Sequence, residues 1–231
     1  MSVKLHRAEA PWWKQIPLAA DPRVFRGLAQ VGRLWLPTSV KSGWAQVVTG
    51  NGSNPSSYLI DAYTGTTASS TSLQRAISTG LNPANGAGQR LDWAKKLLIA
   101  FTVERLTTEA QTNAYVQLKA QNTHGQLAET GLGVVIANLT LSGESYGTAR
   151  GTKGTTTLTS LWPVLVVIIF DGSSCEWIVE GTSLGVESTA ANLPSGVAAA
   201  DCFLVVSIGN GVTGGTSAGI ECGNFLVWQE R

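Results

Sequence analysis

The chain has 231 residues, of which only 13% are charged and 26 are glycine, and its formal net charge is +1. Such a length accommodates one large all-β domain with a sizeable core. A charged fraction this far below the roughly 25% of an average soluble protein gives a hydroxyl-rich surface, better suited to an extracellular or particle-assembled protein than to a cytosolic enzyme. Cys175, Cys202 and Cys222 have no C-x-x-C spacing and only His6 and His124 as companions, which argues against a zinc site or a disulfide framework and leaves one oxidised pair open.

Residues 1–37 read as an arm and residues 38–231 as the body. Trp12 and Trp13 lie between Pro11 and Pro17 with neither alternation nor helical period, so the chain there is expected to run extended. Asp21 before Pro22 is a helix start. Val24, Leu28 and Val31 then share one face, Arg23, Arg26 and Gln30 the other, and Gly32 is the stop. The result is a short amphipathic helix over about 21–32, too small to stand alone. The first 33 residues hold six basic and two acidic side chains, so the rest of the chain is net −3. That asymmetry steers the arm toward an acidic surface, a neighbouring copy of the body included. The basic residues are too scattered for nucleic acid. Large aromatics in such an arm either pack back on the body or anchor into a neighbour. Both readings stay open, and the candidate assembly interface is Trp12, Trp13, Arg23, Phe25, Arg26, Leu28 and Trp35.

From Gly43 onward, short β-type runs alternate with Gly, Ser, Asn and Thr clusters. Strands are expected near Trp44–Val48, Leu73–Ile77, Leu91–Trp93, Leu97–Glu104, Ala114–Lys119, Gly133–Leu139, Thr155–Thr159, Val164–Phe170, Cys175–Glu180, Phe203–Ile208 and Ile220–Trp228. In Ala114–Lys119, Val116 and Leu118 take the core side and Tyr115, Gln117 and Lys119 a wet side. Val164–Phe170 is apolar on both faces, so it should be central and covered twice. It is also the longest apolar run, far too short to cross a membrane. The polar N-terminus offers no apolar core of a signal peptide, and a soluble chain is expected. Asp171 to Ser174 then turns the chain into Cys175–Glu180, the strongest hairpin signal present.

The body resembles the concanavalin A-like lectin/glucanase jelly roll, particularly the versions found in virion proteins of tailed bacteriophages. The stretches that carry the likeness are Gly65 to Gln74, Leu97 to Val103, the hairpin Val166 to Gly172 with Trp177 to Gly181, and the closing pair Ser207 to Gly211 with Phe225 to Trp228. The resemblance implies an antiparallel two-sheet sandwich. It further implies either a structural role on a virus particle, often as a trimer, or carbohydrate binding. The Glu-x-Asp-x-x-Glu strand motif of the glucanase branch is missing from this sequence. Asp171 has no companions for a calcium shell of the lectin branch.

Gly181 to Gly185 and Gly215 to Gly219 both match the nucleophile-elbow string, but no His follows either serine. No catalytic, cofactor-binding or metal-binding residue is expected. The leading expectation is therefore a non-enzymatic virion protein, a capsid decoration or tail-associated homotrimer that meets other virion proteins through its arm. The alternative is a lectin-like module for host or surface glycans, stacking an exposed aromatic on a sugar. Nucleic acid and membrane are not expected as partners.

Overall fold

In a computed structural model of the chain, the residues described are 32–35, 44–50, 60–63, 70–76, 91–105, 112–120, 125–158, 163–195, 202–210 and 219–230. They form β1 (Gly32–Trp35), β2 (Ala45–Thr49), β3 (Ile60–Tyr63), β4 (Ser70–Ala76), β5 (Leu97–Arg105), β6 (Thr112–Lys119), β7 (Gly131–Ala137), β8 (Thr140–Tyr146), β9 (Arg150–Thr157), β10 (Val164–Phe170), β11 (Cys175–Val179), β12 (Thr182–Glu187), β13 (Phe203–Asn210) and β14 (Gly219–Glu230). A single 3-10 turn at Ala190–Asn192 is the one helical element among them.

These strands make an antiparallel two-sheet jelly-roll sandwich, as the sequence pattern implied. The first sheet has the order β1-β14-β5-β10-β11-β12, with β3 also paired to β14, and the second has the order β2-β4-β13-β6-β7-β8-β9. Alternate residues from each sheet fill the space between them. Leu97, Ile99, Phe101 and Val103 of β5, Val166, Ile168 and Phe170 of β10, and Phe225 and Val227 of β14 meet Val116 and Leu118 of β6, Leu132, Val134 and Ile136 of β7, and Leu204, Val206 and Ile208 of β13. Trp177 crosses between the layers. Its ring lies where a Cβ on Gly143 would sit, and its Nε1 donates to the Gly133 carbonyl at 2.8 Å. That packing explains why β8, with Gly143 and Ser145 at inward positions, lacks the apolar alternation that marks a strand in sequence.

The expected Val164–Phe170 hairpin into Cys175 is present, with Phe170 opposite Cys175. The next return, through Glu180 and Gly181, places both residues at positive φ, +48° and +79°, as a two-residue primed turn requires. β1, β3, β8 and β12 are strands that the sequence pattern did not mark. Leu91–Trp93, expected as a strand, keeps only an isolated bridge at Leu91. There Asp92 organises a turn instead, its Oδ1 accepting from the Ala94 N–H and its carbonyl from the Lys95 N–H. β10 is central, between β5 and β11, but its second face (Leu165, Val167, Ile169) is half-buried rather than fully covered.

At the other end of the expected arm, Gly32–Trp35 is strand β1, with Gly32 opposite Glu230 and Trp35 opposite Val227. Gly32 is thus the first residue of a strand, and the last residues before Leu36 belong to the body's first sheet. Trp12, Trp13, Arg23, Phe25, Arg26 and Leu28 lie outside the described residues, as does the rest of the expected helix.

Candidate functional site

The outer face of the second sheet holds the densest cluster of polar side chains among the described residues. Cross-strand register sets it out in rows. Val205, Gln117, Gly133, Glu144 and Thr152 form one row, and Phe203, Lys119, Gly131, Tyr146 and Arg150 the next. Sequence alternation placed Tyr115, Gln117 and Lys119 correctly on this face but wrongly in water: they are 4%, 1% and 0% exposed. The reason is that residues 125–130, leading into β7, fold back over the face. Leu127 is buried there and donates its N–H to Glu144 Oε1 at 3.0 Å.

Glu144 is the hub. It is fully buried, and its carboxylate accepts from Gln117 Nε2 at 2.8 Å, from the Leu127 N–H, and from Arg150 Nε at 2.7 Å. Gln117 Nε2 also donates to the Gly125 carbonyl at 3.1 Å. Two β7 glycines make room for this layer. A Cβ on Gly133 would lie 2.7 Å from Gln117 Cγ and 2.5 Å from the Val116 carbonyl oxygen, and one on Gly131 would lie 2.7 Å from Lys119 Cβ. Lys119 pairs with Glu129 at 3.5 Å. Burial lowers the Lys119 pKa, opposed by the Glu129 charge, while burial and then the Glu144 charge raise that of Tyr115.

At the β8–β9 end the cluster reaches the surface. Arg150 Nη1 donates to Gln126 Oε1 at 2.9 Å while Nε holds Glu144, so the guanidinium is fixed at both ends with two of its five donors engaged. The hairpin tip is clamped as well, the N–H groups of Thr148 and Ala149 both donating to the Ala191 carbonyl at 2.8 Å. Tyr146 stands directly opposite Arg150 in register. Among the described side chains the partly exposed aromatics are Tyr146 and Phe203, and both lie in this row. Trp44, Trp93, Trp177 and Trp228 are all buried, so none of these four is the exposed sugar-stacking tryptophan considered from sequence.

Other sequence candidates serve the scaffold. Asp171 accepts from Ser173 and Ser174 through both carboxylate oxygens. Burial works to raise its pKa, and these bonds outweigh it and lower it. Ser183, within the first elbow-like string, lies on strand β12 and its Oγ accepts from the Gly185 N–H at 3.2 Å. The three cysteines are unbridged and buried, and burial pushes the Cys175 and Cys222 thiols up. Glu187, which the sequence did not single out, sits at the seam where β12 meets β9. Its carboxylate accepts from the Ser188 and Thr189 N–H groups and from Asn192 Nδ2, with Lys153 Nζ at 3.7 Å. Burial acts to raise its pKa, but these hydrogen bonds and the Lys153 charge bring it down to about 2.

No protein-family model and no curated protein matches the sequence. Among solved structures, the carbohydrate recognition domain of Emp47p shares the fold with a TM-score of 0.56 at 12% identity, over 87% of this chain and 98% of that one. Botulinum neurotoxin type C, whose cell entry depends on interaction with two ganglioside molecules, aligns with a TM-score of 0.50 at 8% identity, over 89% of this chain and 49% of the toxin chain. Likeness at these identities establishes the lectin-like jelly-roll fold.

Proposed function

We propose that this protein is a lectin-like carbohydrate-binding module whose ligand rests at the β8–β9 end of the second sheet's outer face. The observation that carries the reading is the Arg150 guanidinium, held by Glu144 and Gln126, with the partly exposed Tyr146 opposite it in the β8–β9 register. An aromatic face packs against the C–H face of a pyranose, and a prepositioned guanidinium donates to sugar hydroxyls or, bidentately, to a carboxylate on an acidic sugar. Because both ends of Arg150 are already fixed, little side-chain entropy is lost on binding. The fold shared with a carbohydrate recognition domain adds support.

A glycan array with the full-length protein, followed by calorimetry on the strongest hit, tests this. Tyr146→Ala should weaken the hit at least tenfold with the melting temperature unchanged, and Tyr146→Phe should keep most of the affinity. An array without hits, or a hit indifferent to Tyr146→Ala, contradicts the reading.

The assembly role in a virus particle rests on the composition and charge of residues 1–37. Its test is deletion of residues 1–31, which keeps strand β1 and should leave a folded body that no longer oligomerises.

A further inference from the structure

The hydrogen-bonding groups around Tyr146 are unevenly spent. A sugar hydroxyl both donates and accepts, so a site made for a neutral pyranose offers acceptors as well as donors. Here the carboxylate and amide acceptors are engaged or out of reach. Glu144 Oε1 accepts from the Leu127 N–H and from Arg150 Nε, and its Oε2 accepts from Gln117 Nε2. Gln117 Oε1 has no partner but is buried. Gln126 Oε1 accepts from Arg150 Nη1 at 2.9 Å, and that bond fixes which way the amide faces. Its oxygen turns to the guanidinium, which leaves the Nε2 group of this exposed residue as a donor.

Donors, by contrast, are left over. Arg150 makes one hydrogen bond through Nε and one through Nη1, so three of the five guanidinium hydrogens, both of those on Nη2 among them, are unspent on the described residues. Anionic oxygens take such donors in charge-assisted bonds, and a carboxylate or a sulfate takes two at once.

Charge is arranged in the same sense. The Arg150 side chain is 31% exposed, while that of its partner Glu144 is 0% exposed. Lys153, three residues along the edge strand β9, repeats the arrangement at 35% exposed against 3% for Glu187. In both pairs the cation reaches water and the carboxylate does not. The pairs are formally neutral, yet the potential they present at the surface is positive. Strand rise separates the two positions by about 10 Å, close to one Debye length at 0.1 M salt, so an anion beside Arg150 also feels Lys153.

We infer that the sugar recognised beside Tyr146 is acidic, carrying a carboxylate or a sulfate ester bound by the unspent donors of Arg150 and Gln126. This rests on the glycan reading proposed above and narrows it from saccharides in general to anionic ones.

The test is an array that carries each oligosaccharide in neutral, uronic acid-bearing and sulfated forms, probed with the full-length protein, followed by calorimetry on the best acidic hit and its neutral parent. The acidic form should bind at least about tenfold tighter, and the excess should shrink as sodium chloride rises from about 50 to about 500 mM. Gln126→Glu keeps an acceptor for Arg150 and replaces the free donor with negative charge, so it should abolish the excess without lowering the melting temperature. Arg150→Lys keeps the charge and loses the planar fork, and should weaken the acidic hit by a similar factor. Because Arg150 also holds Glu144, the Gln126 variant decides the matter if Arg150→Lys fails to fold. Preference for the uronic acid forms alone makes the anion a carboxylate, and for the sulfated forms alone a sulfate. Neutral and acidic forms bound equally and through Tyr146, or an excess that survives Gln126→Glu, would overturn the inference and leave the glycan reading standing. An array without hits overturns both.

Discussion

The two outer faces of the sandwich solve one problem in opposite ways. On the second sheet, the residues of β6 and β8 that alternate with the core are polar or charged, and a short local segment, residues 125–130, closes over them with hydrogen bonds to Glu144 and Gln117 and an ion pair to Lys119. On the first sheet they are apolar over β5, β10, β11 and β14. A buried polar face has to be satisfied group by group, so its cover must fit in atomic detail. An apolar face asks only for matching shape and area. The polar face therefore fixes its groups in place, the Arg150 guanidinium among them.

That contrast makes the second sheet the brittle one. Glu144→Ala removes the single acceptor shared by Gln117, Leu127 and Arg150 and should cost about 4 kcal/mol in urea denaturation, the range for breaking one side of a buried ionic network. A loss below about 1 kcal/mol would show the cluster to be solvated and the covering segment loose.

The seam between the sheets gives the next effect. The Glu187 pKa falls from the ordinary carboxyl value of 4.5 to about 2 in the fold. A depressed carboxyl contributes stability above its unfolded pKa and loses it as pH drops toward the folded one, so stability should decline between pH 4.5 and about 2 by roughly 3 kcal/mol. Glu187→Gln should flatten that part of the profile; an unchanged profile would remove Glu187 as the clasp.

The smallest change belongs to the apolar face. Val167→Ala removes two half-buried methyl groups and should cost about 1 kcal/mol, measured alongside Glu144→Ala by the same denaturation. Equal losses at the two sites would erase the distinction drawn between the faces.

Much of the sandwich was legible in sequence where a strand carried its own apolar signature. Val164–Phe170 and its hairpin, Leu97–Arg105 and Phe203–Asn210 are such strands. The misses share a physical cause. β8 and β12 read as polar, glycine-containing linkers because their inward positions are trimmed to fit Trp177 or carry the buried carboxylate of Glu187. Asp92 converted an apolar run into a turn. The candidate site was less legible still. Alternation told which side of β6 Gln117 and Lys119 occupy, but burial of that side depends on a covering segment with no periodic signal, and the meeting of Tyr146 with Arg150 depends on the β8–β9 register. The signals available were the paired glycines Gly131 and Gly133, which mark where side chains from the neighbouring strand need room.

The most direct test of the central claim is a backbone NMR titration of the full-length protein with the best array glycan. Shifts concentrated at Tyr146, Arg150 and Gln126, with Val167 and Leu165 unmoved, are the predicted result. Shifts confined to the first sheet's outer face would contradict the assignment of the binding site to the second.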